Sequence, residues 1–276
     1  LVGPGSGAGA NGFRAGQSSK YICITRPRRF GKTMAANMVA AYFGKGMDSH
    51  DLFDSLRISG SGQYEAHLNQ HNVIHMTLSE MPRDCSGYES YINRIHDRMV
   101  MDLVREFPLT EIGREDALWD VFNNIYELEE AAKFIFVLDE WDYIFHQDFI
   151  SEKDKISYLS FLRNLLKDKA YVLLAYMTGI LPIAKYSSGS ELNMFWEYTM
   201  INEERFSARF GFTEKEVDML YERYKARTQT PRLTREGLKD WYDGYHTFSG
   251  EQVYNPRSVV AALSNNNLGN YWTSSG

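Results

Sequence analysis

The chain has 276 residues, of which 43% are hydrophobic and 24% are charged. A chain of this length and composition can bury a large core, which excludes an intrinsically disordered protein and a small disulfide-stabilised one. The formal net charge is −6, so the overall field does not favour nucleic acid, although a local basic patch is compatible with binding it.

The two cysteines, Cys23 and Cys85, are too few for a disulfide framework. Cys23 lies inside an apolar run, where a buried free thiol is the ordinary interpretation. The sequence contains no apolar run long enough to span a bilayer and no secretory signal pattern. We therefore expect a cytoplasmic protein without a membrane partner.

Residues 1–19 are rich in Gly, Ala and Ser, a composition typical of a flexible tail or linker, and we assign them no fold. The apolar run Tyr21–Thr25 then predicts a short buried strand. Apolar residues recur at helical spacing across Lys32–Phe43 and again across residues 88–107, which predicts two helices. Between these helices, residues 72–78 have the composition of a second strand.

Residues 115–132 and residues 154–169 show two more amphipathic helical patterns. The apolar run at residues 134–138 suits a strand that is covered on both faces, and residues 170–179 form another buried strand. Because strands alternate with helices, we predict an open, mostly parallel α/β sheet flanked by helices across residues 20–204.

The C-terminal part of the chain has no strongly apolar strand, and short helical patterns replace it. Thr213 and Glu216 have the spacing of a capping box that begins one helix. A second helix is predicted at residues 234–245, and Asn255 followed by proline has the pattern that begins a third. We predict that residues 205–276 form a small, mainly helical subdomain, with a winged-helix-like arrangement as one form of it.

The residues after the first strand read Thr-Arg-Pro-Arg-Arg-Phe-Gly-Lys-Thr and lead into the first helix. A strand, a tight loop, Gly31-Lys32-Thr33 and a helix form the context of a phosphate-binding loop. Backbone N–H groups at the helix start can cradle phosphate oxygens, Lys32 can reach the β- and γ-phosphates, and the Thr33 hydroxyl can bind Mg²⁺. The alternative is a basic helix start that binds nothing, which a Gly-Lys-Thr triplet alone does not exclude.

Two acids, Asp139 and Glu140, directly follow the apolar run at residues 134–138. A strand-end aspartate can hold the Mg²⁺ shell, directly or through water, and the adjacent glutamate can orient and polarise the attacking water. A solvated turn is the ordinary alternative. Because both motifs occur in the expected order, about a hundred residues apart, coincidence is disfavoured. Thr178 ends the next strand, where it either contacts the γ-phosphate or its water, or is a strand-end threonine without a role.

Arg205 and Arg209 are candidate arginine fingers, either within this chain or toward a neighbouring subunit, because an arginine can stabilise charge in the transition state. We favour the alternative that they are surface arginines paired with Glu203 or Glu204. A different pair, the histidines at positions 67 and 71, has the spacing of a metal site on a helix. No further ligand cluster accompanies that pair, so we favour a solvated surface.

Six stretches of the chain together resemble one protein family. They read, in chain order, YICITRPRRFGKT, FVLDEWD, YMTGILPIAKYSSGSELNMF, FGFTEKEV, WYDGYHTF and VYNPRSV. They are similar to the bacterial AAA-ATPase-like family of P-loop proteins, and the resemblance runs from Lys20 to the C-terminus. The family's loop lacks the first glycine of the general motif, so Arg26, which occupies that place, follows the family.

The resemblance implies an ASCE-type P-loop fold, in which the acidic strand is not adjacent to the phosphate-loop strand. It implies ATP hydrolysis, with Mg²⁺ held by Thr33 and Asp139 and with Glu140 assisting. Lys32 and Thr178 complete the expected catalytic set. The residues expected to bind ATP are Pro27, Arg28, Arg29, Phe30, Gly31, Lys32 and Thr33.

Members of the family often carry a nuclease-like domain after the ATPase, so nucleic acid is a partner by analogy only. Neither that domain nor the family's usual N-terminal segment is recognisable here, which raises a fragment of a longer protein as an alternative. A protein partner or a second copy of the chain is also open. Three functions remain: an ATP hydrolase, an ATP-dependent switch or scaffold with little hydrolysis, and the ATPase module of a nuclease system.

Overall fold

A computed structural model describes residues 20–187, 191–201 and 204–272, and the predicted tail at residues 1–19 lies outside them. Its main sheet is parallel and contains β1 (Tyr21–Thr25), β2 (Asn72–Thr77), β3 (Phe134–Asp139), β4 (Val172–Gly179) and β5 (Trp196–Tyr198). In space the order is β2-β3-β4-β1-β5, so β4 separates β1 from β3. This is the arrangement of an ASCE-type P-loop protein, and the predicted parallel α/β fold is confirmed.

Helices connect these strands and cover the sheet. In chain order they are α1 (Lys32–Phe43), α2 (His50–Phe53), α3 (Tyr64–His67), α4 (Tyr88–Glu106), α5 (Leu118–Leu128) and α6 (Glu152–Leu166). α5 is shorter than the predicted range, because Ala117 is extended before it and Glu130 adopts a left-handed backbone after it. α6 begins at Glu152 rather than at residue 154, since Ser151 forms a capping box with Asp154.

The sheet is covered on both faces, as the apolar run of β3 predicts. Phe134, Phe136 and Leu138 belong to the cluster that contains buried residues of α4, α5 and α6. Ile135 and Val137 alternate with them and belong to the cluster that contains buried residues of α1. Every residue of β3 is buried, so tight packing on both sides holds the carboxyl end of this strand in place.

The two histidines four residues apart do not share a helix. His67 ends α3, and His71 lies just before β2. Nδ1 of His67 is 2.9 Å from Nε2 of His71, and the two rings stack on each other. Within the described ranges, no group of three or more His, Cys, Asp and Glu side chains could hold a metal ion. The pair therefore does not share the helix that the metal-site alternative requires, and the two rings contact one another.

The C-terminal region contains short helices and a second sheet. Its elements are β6 (Phe212–Thr213), α7 (Glu214–Arg227), α8 (Arg235–Tyr242), β7 (Asp243–His246), β8 (Gln252–Tyr254) and α9 (Pro256–Asn265). The predicted capping box of Thr213 and Glu216 is present, and Asn255 caps α9 by accepting the Ser258 N–H. The antiparallel sheet β6-β8-β7 was missed, because its strands have two to four residues and no apolar run.

Buried side chains of α7, α8 and α9 pack with Tyr254 of β8 in a cluster of their own. No helix in the described parts of the chain combines the length and the apolar character that a transmembrane span needs.

Candidate functional site

The loop between β1 and α1 ends at a position that requires glycine. Gly31 has φ +83°, in the left-handed region, and precedes the first residue of α1. Gly31 has no side chain that could cap α1, and the first turn of α1 contains no acidic residue. The N–H groups at this helix start are therefore free of a competing side-chain anion, and together with the helix dipole they favour an anionic ligand.

Lys32 points back toward the loop that precedes it. Its Nζ donates hydrogen bonds of 2.9 Å to the carbonyl oxygens of Arg26 and Pro27, and the residue is only 6% exposed. Burial lowers the pKa of Lys32, while the nearby carboxylates, Asp139 first among them, act in the opposite direction. A partly desolvated ammonium group that faces carboxylates is suited to bind phosphate oxygens.

The acidic pair lies at the carboxyl end of β3, next to Thr178 of β4. The Thr178 hydroxyl donates to Oδ1 of Asp139 and accepts the Glu140 N–H at 3.3 Å. Asp139 is fully buried, and its Oδ2 has no hydrogen-bond partner among the described residues. Glu140 has φ +54°, a left-handed backbone that is uncommon for a non-glycine residue and that turns the chain sharply after the strand.

A cavity of about 600 Å³ separates the loop from the acidic pair. It is lined by Arg28, Arg29, Gly31, Lys32, Thr33, Glu140, Asp142, Tyr143, His146, Ile180 and Arg257. We call Arg28, Arg29, Lys32 and Arg257 the cationic wall, and we call Glu140 and Asp142, with the buried Asp139 beside them, the acidic wall. A ligand that carries both phosphates and a metal ion matches this division of charge.

Some residues expected to bind nucleotide lie off the cavity. Phe30 is 1% exposed and packs edge-on against Tyr245, with ring centroids 4.7 Å apart. Pro27 is not among the lining residues and presents its carbonyl to Lys32. Thr178 is fully buried and reaches the cavity only through its contacts with Asp139 and Glu140.

Asp142 is 1% exposed and was not predicted from the sequence. Its Oδ2 accepts the N–H groups of Ile180 at 2.9 Å and Leu181 at 3.1 Å, so it holds the loop that follows β4. The stretch Asp-Glu-Trp-Asp already indicated a role for this third acid, because a carboxylate so close to a buried strand needs hydrogen-bond partners.

Arg257, also not predicted from the sequence, is exposed at the start of α9 and lines the cavity. No local pattern could have identified it, since α9 reaches the cavity only in the folded chain. The two arginine-finger candidates are not among the lining residues. Arg205 lies over the ring of Phe206 at 5.2 Å, and Arg209 is exposed. Glu203, one of their suggested partners, lies outside the described ranges.

The C-terminal region directly contacts the loop between β1 and α1. Asn255 donates from Nδ2 to the Arg28 carbonyl at 3.3 Å, and the Arg29 guanidinium donates to the Tyr271 carbonyl. A Cβ placed on Gly211 would lie 3.1 Å from the Phe30 ring, which shows how closely the chain passes there. The loop is therefore packed between the main sheet and the C-terminal helices.

Two solved structures of the Aeropyrum pernix ORC2 protein are similar to this chain. The ADPNP-ADP complexes give a TM-score of 0.40 at 13% identity, over 91% of this chain and 59% of that one. The ADP form gives a TM-score of 0.38 at 12% identity, over 80% of this chain and 50% of that one.

A curated relative from Azotobacter chroococcum mcd 1, an uncharacterized protein in the vnfD 5′ region, is 26% identical over 274 residues. The alignment covers 94% of this chain and 48% of the relative, so the chain spans about half of that protein's length. The family model described as "Predicted AAA-ATPase" matches residues 15–188, which is more than half of the chain. The protein therefore belongs to the AAA-ATPase-like family.

Proposed function

We propose that the protein binds ATP together with Mg²⁺ in the cavity between the cationic and acidic walls and hydrolyses it. The observation that carries this proposal is the buried Oδ2 of Asp139, an acceptor without a partner among the described residues, in a wall that faces the loop between β1 and α1. Family membership supports nucleotide binding, and the hydrolysis step rests on the site chemistry.

The donor set fits Mg²⁺. This ion prefers carboxylate, hydroxyl and water oxygens, and it commonly sits between one or two protein side chains and the phosphates. In the proposal Asp139 supplies the carboxylate, directly or through water, and the exposed Thr33 supplies the hydroxyl. When bound, the ion would neutralise phosphate charge and orient the γ-phosphate.

The phosphates would be bound by the N–H groups at the start of α1 and by the cationic wall. Lys32 would exchange its contacts with two backbone carbonyls for phosphate oxygens. Arg257 would reach the same phosphates from α9, which makes it a better placed candidate for stabilising transition-state charge than Arg205 or Arg209.

Glu140 would orient and polarise the attacking water. It lies on the cavity wall, and its N–H is held by Thr178, so its backbone is fixed relative to Asp139. Thr178 then acts by positioning the two acids rather than by touching the nucleotide. Orientation of water by a carboxylate of this kind contributes about a hundredfold to ten-thousandfold to rates.

The test is Mg²⁺-dependent phosphate release by the wild type and by Glu140→Gln, with binding of an ATP analogue measured in parallel. We expect turnover to fall at least about a hundredfold while analogue binding is retained. Glu127→Gln, at an exposed position on α5, is the matched control and should leave both unchanged. Phosphate release that is the same in wild type and Glu140→Gln would refute the hydrolytic role.

A second candidate function is an ATP-dependent switch with little hydrolysis. The contacts of Asn255 with Arg28 and of Tyr245 with Phe30 favour it, because they join the C-terminal region, which we propose as a subdomain over residues 205–276, to the loop. Tight analogue binding with negligible turnover, together with changed hydrogen exchange in α9, would select the switch. If hydrogen exchange in α9 is the same with and without nucleotide, the switch function is excluded.

A further inference from the structure

Arg26 stands where the general phosphate-binding motif has its first glycine, and its side chain is buried at 1% exposure. The guanidinium donates three hydrogen bonds to backbone carbonyls: to Thr25 at 2.7 Å, to Tyr198 at 2.6 Å and to Phe206 at 2.7 Å. The ring of Phe210 lies 5.0 Å from its central carbon. The side chain is thus enclosed by carbonyls and an aromatic ring.

A buried guanidinium of this kind has strong geometric demands. Its three hydrogen bonds go to carbonyl dipoles rather than to carboxylates, and its Nε has no partner among the described residues. Burial lowers the pKa of Arg26 to about 10, which leaves it charged at neutral pH. The planar fork can reach acceptors on two separate segments at once, which a lysine ammonium on a single stem reproduces only in part.

The two distant acceptors belong to the end of β5 and to the connector, which we define as the described residues 199–201 and 204–211 between β5 and β6. Tyr198 is the last residue of β5, and Phe206 and Phe210 lie in the connector. The guanidinium therefore joins the phosphate-binding loop to the segment that leads into the C-terminal region.

The backbone of Arg26 makes two further connections. Its N–H donates to the Gly179 carbonyl at the end of β4, at 3.1 Å, and its carbonyl accepts Nζ of Lys32. Arg26 is not among the described residues with positive φ, so its backbone does not need the freedom of glycine. One residue thus contacts the sheet, the connector and the phosphate-binding lysine.

We propose that Arg26 is a positioning residue for the nucleotide site, which sets the loop and Lys32 relative to β4 and the connector. The cross-link takes over the role that a tight glycine turn has in the general motif. Restoring the glycine of that motif should therefore weaken nucleotide binding rather than improve it. The proposal rests on the proposed ATP binding, and its test distinguishes the two.

The test compares Arg26→Gly and Arg26→Lys with wild type by titration with a fluorescent ATP analogue, well below the thermal midpoint of each. We expect Arg26→Gly to weaken analogue binding at least about tenfold, which is the size of a lost charge-assisted hydrogen bond. The affinity of Arg26→Lys should lie between those of Arg26→Gly and wild type. Ile125→Ala is the control for lost stability. Ile125 is a fully buried α5 residue in the cluster that it forms with α4 and α6, so this variant should bind the analogue within about twofold of wild type.

Hydrogen exchange without nucleotide supplies a second readout. Arg26→Gly should speed exchange both in residues 27–33 and in the connector, whereas Ile125→Ala should speed exchange near α5. Unchanged affinity in Arg26→Gly, or unchanged exchange in those two segments, would overturn the positioning role. A wild type that binds no nucleotide would refute ATP binding, and exchange would still decide the role of Arg26. If Arg26→Gly is insoluble, Arg26→Lys carries both measurements.

Discussion

The cationic and acidic walls of the cavity are held in different ways. The acidic wall lies at the ends of buried strands, where Thr178 and backbone N–H groups fix Asp139 and Asp142. In the cationic wall, Lys32 contacts carbonyls of its own loop, and Arg257 is an exposed residue at the start of α9. The acidic wall is therefore preorganised, whereas the proposed binding of phosphate would require the cationic wall to exchange partners. Substitutions should accordingly change ligand affinity in the cationic wall and folding stability in the acidic wall.

The largest expected effect is at Lys32. Lys32→Ala should weaken ATP-analogue binding about a hundredfold, which corresponds to about 2.7 kcal/mol, because a charged donor to the phosphates is lost. Isothermal titration calorimetry measures the affinity. Lys45→Ala removes a lysine just beyond the other end of α1, where it pairs with Glu106, and should leave the affinity unchanged. Equal affinities for wild type and Lys32→Ala would contradict both the difference between the two walls and the proposed function.

The second prediction concerns packing beneath the acidic wall. A Cβ on Gly179 would lie 2.5 Å from Nε1 of Trp141 and 3.1 Å from Oδ1 of Asp142. Gly179→Ala should therefore lower the free energy of unfolding by about 2 to 3 kcal/mol, because Trp141 is fully buried and cannot move freely. Gly244→Ala, in β7, meets open space and should change it by less than about 0.5 kcal/mol. Urea denaturation would show whether the two differ; similar midpoints would contradict a rigid acidic wall.

The third prediction tests the link between β3 and β4. Thr178→Val removes the hydroxyl that donates to Asp139 and accepts the Glu140 N–H. The two groups left unpaired should cost about 1 to 2 kcal/mol of unfolding free energy, and turnover should fall while analogue affinity is kept. Thr230→Val, at an exposed position, is the control. A loss of affinity without a loss of stability would mean that Thr178 acts on the ligand directly.

The smallest effect is expected at Glu197, a carboxylate of β5 that accepts the Ile183 N–H at 2.7 Å. Burial raises the pKa of Glu197 above its ordinary value of 4.5, and the Ile183 N–H partly opposes this shift. In the window between 4.5 and the raised pKa the folded protein binds more protons, so stability falls as pH rises through it. Glu197→Gln keeps an acceptor and lacks the charge, so the stability gap between variant and wild type should grow with pH across this window. A gap that is constant between pH 4.5 and 7 would contradict burial as the cause.

Much of the fold could be predicted because the relevant signals are local. The apolar run of β3, the alternation of strands and helices, and the capping box of Thr213 depend on residues a few positions apart. The second sheet could not be predicted in the same way. Its strands are short, and Tyr245 and Val253 become neighbours only through antiparallel pairing.

The site residues also divide into those that a local pattern predicts and those that only the fold brings together. The order of the loop motif and the acidic pair predicted Lys32, Asp139 and Glu140 as site residues. The parallel sheet places them at one edge because the carboxyl ends of its strands coincide there. For Asp142 the sequence offered only the spacing of the acids, and its partner in the loop after β4 is known only from the fold. Arg257 could not be assigned, since its place at the cavity depends on the start of α9.

By itself the sequence determined a Gly-Lys-Thr loop before a helix and an acidic pair after a buried strand, because backbone conformation and burial follow from local residue patterns. Only the tertiary structure decided what surrounds them. It turned the side chain of Arg26 inward to the carbonyls of Tyr198 and Phe206, far away along the chain. It also brought Arg257 to the cavity. These contacts join segments that are far apart along the chain, so no local residue pattern predicts them. They form only when the sheet and the C-terminal region pack together.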